Sequence, residues 1–120
     1  FRYMRYKSDG THDAHYDSEF KSPDNPLIRT LMSGVLYLSN NACYTRFIND
    51  NQDNIKHVDR DLTDSTRPVV DDDIQRRFPS SEGFCLVFPH GKCHDVSPNL
   101  SNTDRIVIRF DIFYQAIDKV

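Results

Sequence analysis

Long apolar runs are missing from this chain. The longest, Val35-Leu36-Tyr37-Leu38 and Phe84-Cys85-Leu86-Val87-Phe88, fall far short of the ~20 residues a helix needs to cross a bilayer, so no membrane span is expected. Basic charge is not in excess: the net charge is −3, which gives the protein no electrostatic reason to seek DNA or RNA. Glutamate occurs only at Glu19 and Glu82, so nearly all the acid is aspartate. Glycine and proline are sparse, at 4 and 6 residues, which excludes collagen-like and low-complexity chains. Cysteine is scarce too. Cys43, Cys85 and Cys93 are odd in number and contain no Cys-x-x-Cys pair, which argues against a disulfide framework and against a four-thiolate zinc site. An intracellular, reducing compartment, most simply the cytoplasm, is therefore expected, while the acceptor triplet Asn99-Leu100-Ser101 keeps the secretory pathway open. Neither an initiator Met nor a basic-then-apolar leader precedes Phe1, so the chain is expected to be a domain cut from a longer protein, with upstream helices missing. What is present, 38% hydrophobic and 28% charged residues in 120 positions, is the composition of one globular domain spanning 1–120.

The apolar segments read as strands. Phe1 to Lys7 alternates aromatic and basic residues, and Ser8-Asp9-Gly10-Thr11 supplies a turn, giving strand, turn, strand. Asn25-Pro26 breaks the chain before a long apolar strand over Leu27 to Leu38, and Ser39-Asn40-Asn41 turns it toward Cys43 to Ile48. From Asn49 to Gly83 the composition shifts to Asp, Asn, Arg and Thr, which predicts a polar insertion or lid with one short helix at Val70 to Arg77. Phe84 to Phe88 is expected to be a short buried strand. Arg105 to Tyr114 alternates cleanly: Ile106, Ile108, Phe110, Ile112 and Tyr114 fall on one face, and Arg105, Val107, Arg109, Asp111 and Phe113 on the other. Five or more short strands with long polar connections predict a mainly β fold, a sandwich or an open barrel.

Chemistry enters at His15-Tyr16-Asp17. In extended chain a His-x-Asp spacing projects an imidazole and a carboxylate from the same face, where both can hold one metal. A triplet of this kind also arises from composition alone, and His57-Val58-Asp59 is a second copy. Context separates them: His57 and Asp59 lie in the Asp-rich segment without a strand pattern, whereas His15 follows an aromatic strand. A third ligand must come from a distant strand, and Pro89-His90-Gly91-Lys92-Cys93-His94-Asp95 offers His90 and His94. Two imidazoles and a carboxylate with open positions form the facial triad of non-haem Fe(II) oxygenases, and the same ligands also suit zinc hydrolysis.

Several motifs then occur in a recognisable order. They are Met4-Arg5-Tyr6, Gly10, His15-x-Asp17, Gly34-Val35-Leu36-Tyr37-Leu38-Ser39-Asn40, Thr45-Arg46-Phe47, Gly83-Phe84-Cys85-Leu86-Val87-Phe88-Pro89-His90-Gly91, His94, and Arg105 through Tyr114. Together they resemble the catalytic domain of the prolyl-4-hydroxylase-like Fe(II)/2-oxoglutarate dioxygenases, over most of the chain outside 49–83. The resemblance implies a double-stranded β-helix, a cupin-like jelly-roll barrel with the metal at its open end. It implies Fe(II), 2-oxoglutarate and O2 as cofactor and cosubstrates, ascorbate as reductant, and release of succinate and CO2 as a side chain is hydroxylated.

Carried over by position, His15, Asp17 and His94 become the iron ligands. His94 is preferred because Asp95-Val96-Ser97-Pro98 follows it, which leaves His90 as a turn or supporting histidine. Arg105 becomes the partner of the distal carboxylate of 2-oxoglutarate, with Arg109 on the same face as runner-up; a guanidinium offers that carboxylate a planar pair of donors. Tyr6 and Tyr37 match tyrosines that line the cosubstrate pocket, where a phenol donates while its ring packs. One departure stands out: Ala42-Cys43-Tyr44-Thr45 lacks the Gly-Gly that relatives carry there, which predicts a different turn on the substrate side. The expected substrate is a protein or peptide, most simply a proline-containing one, lying along the 49–83 segment. Two other readings compete: a barrel that binds peptide or sugar without turnover, and a hydrolase or cupin-type metal enzyme that needs no 2-oxoglutarate.

Overall fold

Alternation of side chains along the strands resolves into two sheets. The computed structural model describes residues 1–63 and 70–115. Its strands are β1 (Arg2–Tyr6), β2 (His12–His15), β3 (Ile28–Tyr37), β4 (Asn41–Ile48), β5 (Ile74–Ser80), β6 (Cys85–Pro89), β7 (His94–Val96) and β8 (Arg105–Gln115). They form two four-stranded antiparallel sheets, ordered β1-β8-β3-β6 and β2-β7-β4-β5. The protein is thus mainly β, and among the described residues the only helical turns are short 3-10 segments at His57–Asp59 and Asp71–Asp73. No helix among them is long and apolar enough to cross a membrane.

The inner face of the first sheet is the more polar one. On β8, Arg105 and Val107 are buried, whereas Phe113 and Tyr114 stand exposed near the strand end. Register extends this face sideways: Tyr6 pairs with Arg105, Tyr37 with Val107, Val35 with Arg109 and Ser33 with Asp111. Val35, Tyr37, Phe88 and Val107 form a buried cluster there, with Met4, Phe47 and Leu86 packed against it. Full burial of such a side chain contributes ~1.5–3 kcal/mol, which offsets the placing of two arginines inside. Ile108 and Phe110 lie on the opposite face, where the Phe110 ring covers β3. A Cβ at Gly34 would come within 2.1 Å of that ring, so a larger residue here would have to displace Phe110.

Three sequence expectations are corrected. The helix expected at Val70 to Arg77 is a 3-10 turn followed by β5, so the 49–83 segment contributes a strand. Pro79 explains the outcome, because it favours extended backbone at Phe78 and is tolerated on an edge strand, which β5 is. The stretch at Phe84 to Phe88 is also an edge strand, and of its residues only Phe88 is buried. At Ala42-Cys43 the backbone remains a strand: Asp9 and Gly83 are the only described residues with positive φ. The β4–β5 register shifts between Asn41 and Tyr44 instead.

Candidate metal centre and the adjoining cavity

Sheet register brings the two imidazoles together. His15 on β2 pairs directly with His94 on β7, and His94 pairs in turn with Phe47 on β4. Between His12 and His15 the register slips, so three residues of β2 advance against two of β7. Such a bulge turns His12 and His15 to the same side, and their rings stack at 4.1 Å. Asp17 follows β2, held by its N–H to the His90 carbonyl at 3.2 Å. Phe88 meets the His94 ring edge-on at 4.6 Å. A bidentate pair between Arg46 and Asp95, at 2.8 and 2.6 Å, ties β7 to β4.

One ligand atom from each of His15, Asp17 and His94 lies within 4.8 Å of the others. Asp17 Oδ1 is 3.4 Å from His15 Nε2 and 3.5 Å from His94 Nε2. Metal–ligand bonds of ~2.0–2.2 Å put neighbouring donor atoms about 3 Å apart, so small adjustments would close this set on an ion. The tautomers fit as well. His15 Nδ1 is 2.6 Å from the Asp13 carbonyl and His94 Nδ1 is 2.9 Å from the Lys92 carbonyl. A carbonyl only accepts, so each Nδ1 carries a proton, and in the neutral ring each Nε2 presents a lone pair to the cluster, as metal-ligating histidines require.

Electrostatics separates the three groups. Burial pushes the His94 imidazole down to about 4, despite the nearby Asp17. Burial acts the same way on His15, but Asp17 and the Asp13 carbonyl outweigh it and hold His15 above its usual value. For Asp17, burial would raise the carboxyl, yet His15, His94, Arg109 and Ser33 together hold it well below the usual carboxylate range. It is an ionised carboxylate inside the fold.

The three residues line a cavity of about 470 Å³ that also receives Tyr6, Arg105 and Arg109. The two arginines differ there. Arg109 Nη2 is 3.0 Å from Asp17 and its Nη1 is 2.8 Å from Asp111. Arg105, only 2% exposed, donates from Nε to Ser80 Oγ at 2.9 Å and weakly from Nη2 to Thr45 Oγ1 at 3.4 Å. Among the described residues no carboxylate pairs with it. Its guanidinium lies over the Tyr6 ring at 4.9 Å and the Tyr37 ring at 5.5 Å, contacts that offset part of the cost of burying a charge. Tyr37 is buried beneath it and bonds Thr45 at 2.8 Å, while the Tyr6 hydroxyl is 3.3 Å from His12 Nδ1.

Other candidates lie elsewhere. His57 and Asp59 are exposed on a 3-10 turn and stand outside the cluster. His90 is buried behind Asp17 and is also outside it. Asn99 is fully buried and its Nδ2 donates to the Thr103 carbonyl at 2.9 Å, so the acceptor triplet offers no surface amide for a glycan. All three cysteines are free. Sequence reasoning passed over Ser33, Thr45 and Ser80 as site residues. Ser33 was signalled by its polarity inside the apolar Leu27 to Leu38 strand, whereas Ser80 had no signal, since its strand was read as part of an insertion. No family model, curated protein or solved structure matches this chain.

Proposed function

We propose that this protein is an Fe(II)- and 2-oxoglutarate-dependent dioxygenase, built as a double-stranded β-helix, that hydroxylates a peptidyl side chain, most simply proline. The observation that carries this reading is Arg105: a buried guanidinium without a carboxylate partner among the described residues, facing the cavity that holds a His-Asp-His set. A buried charge left in this way is costly unless an anion from solution completes it. A hydrolase or a plain cupin-type metal site has no use for such an inward cation.

His15, Asp17 and His94 would hold Fe(II). Bound there, it supplies the redox chemistry by which O2 converts 2-oxoglutarate to succinate and CO2 while hydroxylating a second substrate, with ascorbate as reductant. The protein's own part is positioning. Arg105 takes the distal carboxylate as a two-donor fork, Ser80 and Thr45 steady the guanidinium, and the Tyr6 and Tyr37 rings fix its plane. Val35, Phe88 and Val107 give the cavity an apolar stretch of wall, and a less polar lining strengthens charge contacts made there.

The test is 2-oxoglutarate consumption by purified protein with and without Fe(II), followed by mass spectrometry of a proline-rich peptide library for gain of one oxygen. The reading expects succinate only with Fe(II) present, and a modified peptide. Succinate release stimulated by a free amino acid alone would keep the oxygenase and refute the peptide substrate. No turnover together with peptide or sugar binding would favour a binding module.

A further inference from the structure

Behind Asp17 runs a chain of buried polar groups whose direction is set from the carboxylate end. The Phe20 N–H can only donate, and it is 2.9 Å from Thr30 Oγ1. At the other end the ionised Asp17 carboxylate can only accept, and its Oδ2 is 2.5 Å from Ser33 Oγ. Between them, Thr30 Oγ1 is 2.9 Å from His90 Nε2, and His90 Nδ1 is 2.7 Å from Ser33 Oγ. Since Ser33 spends its one proton on Asp17, it must accept from His90, which places the imidazole proton on Nδ1. In the neutral ring His90 Nε2 is then an acceptor, and Thr30, which accepts from Phe20, donates to it. Phe20 N–H, Thr30, His90, Ser33 and Asp17 therefore form one directed chain, with a neutral His90 of a single tautomer at its centre. Thr30, Ser33 and His90 are all buried, so water does not compete for these bonds.

The consequence falls on Asp17. Its Oδ2 accepts from Ser33 and from Arg109 Nη2 at 3.0 Å, which occupies that oxygen's lone pairs, while Oδ1 faces His15 and His94. We infer that His90, acting through Ser33, is a positioning residue that makes Asp17 a one-oxygen ligand by holding its second oxygen away from the metal. Without His90, Ser33 keeps only the long contact from Arg109 Nη2 at 3.3 Å to fix its hydroxyl, so one of the two donors that hold Oδ2 away from the ion is loosened while Arg109 keeps the other. The inference rests on the proposed metal set.

The test uses Co(II) as the probe on the full chain, reading the dissociation constant, the visible absorption of bound Co(II), and the infrared splitting of the carboxylate stretches in protein labelled with carbon-13 aspartate. That splitting is wide for one-oxygen and narrow for two-oxygen ligation. Ser33→Ala should weaken Co(II) binding by about 10–100-fold and narrow the splitting, as loss of an outer hydrogen bond does. His90→Leu should narrow it too. His90→Asn, whose Nδ2 stands near the imidazole Nδ1 position, should restore the wild-type splitting. If His90→Leu does not fold, Ser33→Ala against His90→Asn carries the comparison. Wild-type affinity and splitting in His90→Leu, whatever Ser33→Ala shows, or in Ser33→Ala where His90→Leu does not fold, overturn the inference while the metal set stands. A wild-type protein that takes up no Co(II) overturns both.

Discussion

Arg105 and Arg109 occupy the same inner face of β8, yet their surroundings are opposite. Arg109 is neutralised from within, by Asp17 and Asp111. Arg105 is met by two hydroxyls and two aromatic rings, none of which carries a charge. The same side chain is satisfied by protein carboxylates at one position and left to uncharged neighbours at the other. Under the proposed function this difference favours Arg105 over Arg109 as the partner of the cosubstrate, and the two ends of the cavity become separable: substitutions near Arg109 should act on the metal, and those near Arg105 on the anion.

The largest effect tests the metal end. His94→Ala should abolish Fe(II)-dependent 2-oxoglutarate turnover and metal uptake, measured by succinate release and metal titration, while His57→Ala leaves both unchanged. Next, Arg105→Ala should raise the 2-oxoglutarate requirement at least ~100-fold, because breaking a buried ion pair costs ~3–5 kcal/mol, with metal affinity preserved. Arg109→Ala should show the converse, weakening metal binding by about 10–100-fold through the loss of support for Asp17, with the 2-oxoglutarate requirement of the metal-saturated protein nearly unchanged. Thr45→Val should have the smallest effect. It removes a hydroxyl shared by Arg105 and Tyr37, a loss of ~1 kcal/mol that reads as about a five-fold weaker 2-oxoglutarate affinity in calorimetry.

Much of this contrast was legible in the sequence. Alternation in Arg105 to Tyr114 puts both arginines on one face, and the His15-x-Asp17 spacing marks a ligand pair. Periodicity could not say which face of β8 is inside, because the buried face carries more charge than the exposed one. That inversion is set by Tyr6, Val35 and Tyr37 across the sheet, contacts distant in sequence. The same cause hid β5: Ile74 and Phe78 are spaced as in a helix, and beside the local bias of Pro79 it is the pairing with β4, where Phe78 meets Phe47 at 4.9 Å, that makes them a strand. His90 was read as a turn or supporting histidine, but what it touches could not be named, since its partners Ser33 and Thr30 come from a strand far earlier in the chain.

The most direct measurement compares two ligands rather than two proteins alone. 2-Oxoglutarate and 2-oxopentanoate share the 2-oxo acid group and differ in the distal carboxylate, so the ratio of their affinities for metal-loaded protein isolates what Arg105 contributes. The account predicts that wild type and Arg109→Ala prefer 2-oxoglutarate by about 100-fold or more, and that Arg105→Ala loses this preference. An undiminished preference in Arg105→Ala, or one lost in Arg109→Ala instead, would contradict it.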